Sequence, residues 1–424
     1  MSRVVGTSFG AAVLFVAPLL FGQGLPTANP EDVGFSSQRL SRIDDFVERH
    51  IDANHFAGAV TLVARNAEIV QLKAYGMQDI EAEVPMAKDS IFRIYSMTKP
   101  FTSVAVMMLF EQGHFLLNDP VSRFLPEFAG LEVGVEEVDE TTGERVLKTV
   151  PANREVSIRD LLRHTSGLTY GFWGDSLVDK MYLDQGVLTK DETIQDTVAK
   201  LGTIPLKHQP GTVWEYGLST DVLGRLVEVV SGQRFDQFLE EHIFGPLGLK
   251  DTGFFVAAED AGRLAAVYEP NEDNTAISPY NPSKTRDFLK EPTYFSGGGG
   301  LVSTAMDYLR FSQMLLNGGE VDGVRILGPE TVELMTRDHL AGITDRRDLG
   351  PYGFGLGFGF TYDRGITGDI MSDGSYGWGG MAHTGFWIDP QEELIGIFMT
   401  QLLPDSPLPY RDLFKPVVYQ AIVD

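Results

Sequence analysis

Ser96 and Lys99 stand three residues apart in the apolar run Ile91 to Phe101, and no other serine of this 424-residue chain has a lysine at that spacing. On a helix, positions i and i+3 share a face, so the lysine amine reaches the serine hydroxyl. The helix N-terminus favours an alkoxide and disfavours an ammonium. The pair therefore supplies a nucleophile with a base beside it, which is what covalent acyl transfer needs. The spacing alone arises by chance about once in a chain of this length, and a solvated surface helix would be its ordinary home. The next residues argue for burial instead. Val104, Ala105, Val106, Met107, Met108, Leu109 and Phe110 make residues 102–112 apolar nearly all round, as in a helix inside a large protein. Pro100 fits only near a helix start, and Gly113 ends the segment.

Length and composition bound what such a pair can serve. A chain of 424 residues with 43% hydrophobic and 22% charged residues is an ordinary globular composition, long enough for two domains or for one interrupted by another. A formal net charge of -25 repels nucleic acid phosphates and anionic membranes, so neither is an expected partner. With no Cys, disulfides, thiolate zinc sites and a cysteine nucleophile are excluded. The eight His are scattered without a His-Glu-x-x-His pattern, and neither a metal nor an organic cofactor is expected. Ser296-Gly297-Gly298-Gly299-Gly300 lacks the Gly-Lys-Ser/Thr of a phosphate loop and reads as backbone passing close to a cleft.

Pattern divides the chain. Residues 1–24, with Arg3 ahead of the apolar core Val13 to Phe21, suit a signal peptide, so a periplasmic or secreted protein without stable membrane insertion after processing is expected, with a cytoplasmic one as the alternative. Gly6-Thr7-Ser8-Phe9-Gly10 matches a hydrolase elbow in spelling only, because no strand precedes it. A helix over about 37–53 precedes two alternating strands, 57–64 and 68–75, that form a hairpin. From Asn118 to about Tyr294 short helices and long loops dominate, with one acidic hairpin around residues 139–144. Strands are expected again over 353–360, 378–388 and 394–401, then a helix over 410–423. Strands at both ends with helices between predict a split α/β domain, residues 31–117 and 297–424, enclosing a mostly helical domain at 118–296, with a cleft where they meet.

Five segments carry a resemblance: Ser96-Met97-Thr98-Lys99-Pro100, Leu161 to Gly171, Trp214-Glu215-Tyr216-Gly217-Leu218, Gly297 to Ser303 and Trp378-Gly379-Gly380. In this order they resemble the serine β-lactamase and penicillin-binding-protein superfamily, most closely its family VIII carboxylesterases, over about residues 33–404. The resemblance implies an α/β (α+β) fold in which an antiparallel sheet flanked by helices packs on a helical domain. It implies Ser96 as the acylated nucleophile, Lys99 as its neighbouring base and Tyr216 as the phenol of the Tyr-x-Asn motif. A phenol and an amine of reference pKa about 10 and about 10.4 can share a proton in a desolvated pocket. It further implies Trp378, Gly379 and Gly380 at the third motif, with one oxyanion donor from the Ser96 N–H and the other near Met381. His383-Thr384-Gly385 is a second candidate for that motif, which would put His383 in the cleft.

Two departures refine the expectation. The chain has no Lys-Thr-Gly, and Leu218 stands where the motif has Asn. Loss of a cationic partner for a substrate carboxylate costs on the order of 2 kcal/mol of transition-state binding, roughly thirtyfold. Strong β-lactam hydrolysis is disfavoured, whereas neutral esters need neither contact. The expected activity is therefore a serine carboxylesterase acting on small-molecule esters. A D-Ala peptidase or weak β-lactamase on the same scaffold, or a non-catalytic penicillin-recognition module, is the alternative. Trp378, Trp173, Phe172 and Tyr170 are candidates for an apolar pocket.

Overall fold

The computed structural model describes residues 24–424 apart from 190 and 405–407, so the expected export segment lies outside the described residues except for Gly24. The centre of the molecule is one antiparallel sheet of eight strands: β1 (Gly58–Arg65), β2 (Glu68–Asp79), β3 (Val84–Pro85), β4 (Gly353–Phe354), β5 (Gly359–Phe360), β6 (Tyr376–Gly379), β7 (Gly385–Asp389) and β8 (Leu394–Met399). Their spatial order is β4-β5-β6-β7-β8-β1-β2-β3. The early strands thus complete a sheet begun by the late ones, through β1 against β8. All eight residues of β1 are buried, as a strand covered on both faces requires.

Five helices do most of the positioning: α1 (Arg42–Asp52), α2 (Lys99–Glu111), α3 (Ser219–Ser231), α4 (Ala305–Leu316) and α5 (Tyr410–Tyr419). Helices α1 and α5 cover one sheet face with Phe46, Tyr410 and Phe414 against Phe398 and Trp387. The other face carries Phe386, Ile388, Ile395 and Ile397, continuous with α2, α3 and α4. The all-round apolar sequence of α2 has its expected result: ten of its residues are buried, and Phe101 stacks on Phe311 at 3.9 Å between ring centroids. Thr304 caps α4 by accepting from the Asp307 N–H, as its residue type predicts.

Two expected strands are each broken in two. The run 353–360 is not one strand but β4 and β5 around a tight reversal, because Gly357 adopts φ +99° with its backbone against Ser103, where a Cβ would lie 2.2 Å from the hydroxyl. The run 378–388 is β6 and β7 joined by a turn over residues 380–384. Gly380 passes so close to the Ile94 carbonyl that a Cβ would sit 2.4 Å from it. Period-2 patterning carries no mark of such reversals when glycines permit them.

Candidate active site

Ser96 lies in a single 3₁₀ turn, Tyr95–Thr98, that feeds directly into α2. The residue before it, Tyr95, is held at φ +41°, a sparsely populated conformation for a residue with a Cβ and one that persists where its surroundings enforce it. Those surroundings are specific. A short strand at Phe92–Arg93 pairs with Val302–Ser303, and the Ile94 N–H donates to the Leu301 carbonyl at 3.1 Å. This pairing brings the glycine tract 297–300 against the Ser96 turn, and Thr102 fastens it by donating to the Gly297 carbonyl at 2.7 Å.

Lys99, one helical turn on, is completely buried. Its amine donates to Ser96 Oγ at 3.3 Å, to the Tyr170 hydroxyl at 3.0 Å and to the Gly298 carbonyl at 2.7 Å. Among the described residues no carboxylate pairs with it directly. Asp221, in the first turn of α3, accepts from Ser296 Oγ at 2.6 Å and from the Gly298 N–H at 3.2 Å. Asp221 thus orders the same glycine whose carbonyl holds Lys99. Burial, then the neighbouring Tyr216, Asp221 and Tyr294, push the Tyr170 phenol well above its ordinary value.

The structure brings Ser96 and Lys99 together as expected but places Tyr216 differently. The Lys99 amine sits 4.4 Å from the centroid of the Tyr216 ring, within cation–π range. The Tyr216 hydroxyl accepts from Trp378 Nε1 at 3.1 Å, and among the described residues it has no hydrogen bond with Ser96 or Lys99. The cause is packing: Trp173 and Trp214 stack on Tyr216, each at 5.9 Å between centroids, and the Trp378 indole takes its oxygen. His164 lies behind the same ring at 4.9 Å, with burial first and the Lys99 charge second holding its imidazole well below the ordinary value. It is a neutral packing group rather than a base.

A cavity of about 440 Å³ opens on Ser96 and is walled by Trp173, Trp214, Tyr216, Tyr352 and Trp378. Trp173 is 60% exposed and Phe172 48% exposed at its rim. Gly379, Gly380 and Met381 also line it. Among the described residues neither the Ser96 N–H nor the Met381 N–H donates a hydrogen bond to the protein. His383 does not reach the cavity. It sits in the β6–β7 turn at φ +62°, buried, with its ring 5.4 Å from Tyr410 on the α5 face. Gly379 lines the cavity through its backbone, and a Cβ there would collide with Arg411. Leu218 is part of the core.

Three contributors were not singled out for the Ser96 chemistry by sequence: the Tyr170 hydroxyl, the Gly298 carbonyl and Asp221. Tyr170 stood only among pocket-lining aromatics, and the glycine tract only as backbone near a cleft. Among the described residues no three metal-ligating side chains gather. Chemically, the arrangement offers a hydroxyl next to an amine and a second phenol at the cavity wall.

Residues 43–415 match the family model described as Beta-lactamase. A protein of Mycobacterium tuberculosis is 38% identical over 365 residues, covering 84% of this chain and 88% of its own length. Esterase EstB of Burkholderia gladioli is 30% identical over 390 residues, 86% of this chain and 90% of that protein. Among solved structures, EstCE1, described as a hydrolase with promiscuous acyltransferase activity, superposes with a TM-score of 0.75 at 27% identity, covering 90% of this chain and 99% of that one.

Proposed function

We propose that this chain, which belongs to the beta-lactamase family, is a serine hydrolase that cleaves carboxylic esters through an acyl-enzyme on Ser96. The observation that carries the reading is the fully buried Lys99 amine spanning Ser96 Oγ and the Tyr170 hydroxyl at the floor of an aromatic cavity. The similarity to EstB supports the ester bond as the target.

The steps follow from the placement of the groups. Ser96 Oγ attacks the ester carbonyl carbon while its proton passes to the Lys99 amine in its neutral form, which the Tyr170 hydroxyl contacts and holds in place. The N–H groups of Ser96 and Met381 hold the carbonyl oxygen as it gains charge. The Tyr216 oxygen accepts from Trp378, which leaves its own proton free to pass to the departing alkoxide. The alcohol leaves, Ser96 carries the acyl group, and Tyr216 regains a proton from the Lys99 ammonium beside its ring; water then attacks the acyl carbon, giving its proton to Lys99, which returns it to Ser96 Oγ as the acid departs. The expected Lys99/Tyr216 partnership thus divides: Tyr170 holds Lys99 as it takes the serine proton, and Tyr216 serves the leaving oxygen.

Domain organisation and location belong to the same proposal. The sheet draws its strands from residues 58–85 and 353–399, which supports residues 118–296 as an inserted unit within a split α/β domain. The apolar run 13–21 behind Arg3 supports export to the periplasm or medium, and N-terminal sequencing of the mature protein tests it.

Incubation with p-nitrophenyl butyrate and with nitrocefin, alongside Ser96→Ala, tests the activity. Ester turnover absent from the variant supports the esterase. Turnover of nitrocefin but not of the ester favours a β-lactamase, and no ester turnover above the variant favours a binding module.

A further inference from the structure

The two phenols beside Lys99 come from separate segments, and one buried lysine ties those segments together. Tyr170 and Tyr216 meet edge to face with ring centroids 5.5 Å apart, and both rings flank the Lys99 amine. Tyr170 belongs to the loop 169–176, which also carries Phe172 and Trp173. Asp179, buried in the first turn of the short helix Leu177–Asp184, gathers both ends of that loop. It accepts from Thr169 Oγ1 at 2.8 Å, and from the Ser176 hydroxyl and N–H at 2.6 and 3.1 Å. On the other segment Glu215 stands between Trp214 and Tyr216 in sequence, and its N–H donates to the His164 carbonyl at 2.9 Å.

The Lys207 amine joins the two carboxylates. It lies 2.6 Å from Glu215 Oε1 and 3.0 Å from Asp179 Oδ2. The Asp179 carboxylate is buried and the other two side chains are mostly so. Glu215 turns its second oxygen to His208 and Arg347, which leaves Oε1 to Lys207. Burial works against the ammonium, yet hydrogen bonds from it to Glu215 and Asp179 raise Lys207 above its ordinary value, so the bridge is ionic. Its backbone is fastened as well. The Lys207 N–H donates to the Gly167 carbonyl at 2.8 Å, and Gly167, at φ +87°, packs so closely that a Cβ would lie 2.2 Å from the His208 carbonyl oxygen. Desolvation offsets much of the attraction in a buried ion pair, so apolar packing could serve stability as well. A charge-assisted bridge imposes direction and length, which apolar packing does not.

We propose that Lys207 is a positioning residue for ester cleavage: by bridging Asp179 and Glu215 it fixes the Tyr170 loop against the Tyr216 segment, so that both phenols keep their places around Lys99. The proposal deepens the esterase reading and rests on it.

Lys207→Met alone would leave Asp179 and Glu215 without their bridge, so the test variant combines Lys207→Met with Glu215→Gln. Lys207→Arg, which can still span both carboxylates, is its companion. With p-nitrophenyl butyrate the double variant should lose about tenfold or more in kcat while KM stays within about twofold, because misplaced proton-transfer groups cost rate rather than ground-state binding. Lys207→Arg should recover most of that loss. Near-ultraviolet circular dichroism reads the placement without turnover. Trp173 and Trp214 stack on Tyr216, so their coupled signal should shrink in the double variant and return in Lys207→Arg, with the far-ultraviolet signal unchanged. An unchanged kcat or near-ultraviolet signal in the folded double variant, a loss confined to KM, or no recovery by Lys207→Arg overturns the proposal. If the double variant does not fold, Glu215→Gln alone opens the bridge on one side while Lys207 keeps Asp179, and the same readings decide. Absence of all ester turnover in the unaltered protein contradicts the esterase reading instead, and the dichroism then decides for Lys207.

Discussion

Lys99 is held by three oxygen acceptors of different kinds, and this sets what each neighbouring side chain can be expected to do. Removing Tyr170's hydroxyl deprives the amine of the phenol it hydrogen-bonds, so Tyr170→Phe should lower kcat for every ester by about 10²-fold or more, the usual worth of a positioned proton-transfer group. Tyr216→Phe should behave differently. A p-nitrophenolate leaves without being protonated, whereas an alkoxide does not, so this variant should lose about 10²-fold on an ethyl ester and far less on a p-nitrophenyl ester. Equal losses on both esters would refute the division of roles. At this scale the sequence was most informative where spacing fixes contact, as for Ser96 and Lys99 on one turn. It could not place Tyr170 or Asp221 on the reactive pair, because these come from residues about 70 and 120 positions away and meet only through the packing of separate elements. Nor could it show that Trp378 would take the Tyr216 oxygen, since that depends on how three indoles stack.

The elements that carry the site meet through glycine. The β6–β7 turn touches the Ser96 segment where Gly380 lies against the Ile94 carbonyl, and backbone offers no rotamer with which to make room. Gly380→Ala should therefore displace Met381 and its N–H, lowering kcat/KM by about 10²-fold while the melting temperature moves by only a few degrees. A drop in activity matched by loss of the folded state would contradict this. Behind the turn, Phe101→Ala would empty the stack with Phe311 and cost about 3–5 kcal/mol, which denaturant titration measures. Helices such as α2 and α4 were legible because burial and capping leave marks every three or four residues. The runs 353–360 and 378–388 look continuous in sequence, because glycine and aromatic alternation is the same whether the chain goes straight or doubles back. The reversals are decided by close approaches to Ser103 and Ile94, which no local pattern records.

The whole molecule should lose stability in acid, and part of that loss is set away from the catalytic cavity. His50 and His55 face each other through their Nδ1 atoms at 2.8 Å beneath Tyr410. Burial first, and then the charge of His55, lowers His50 to about 4. A histidine whose folded-state value lies below the ordinary 6.5 binds fewer protons folded than unfolded between those limits, so stability falls as pH drops from about 6.5 to about 4. His50→Asn should flatten that part of the curve of melting temperature against pH, whereas an unchanged slope would place that loss elsewhere. Catalysis itself stands on covalent chemistry at one hydroxyl. The direct measurement is intact-protein and peptide mass spectrometry after acid-quenching the enzyme during turnover of p-nitrophenyl butyrate. A butyryl group on the peptide containing Ser96, absent from Ser96→Ala and strongly diminished in Lys99→Met, is the predicted result. Ester hydrolysis that persists in Ser96→Ala with no acylated peptide would contradict it.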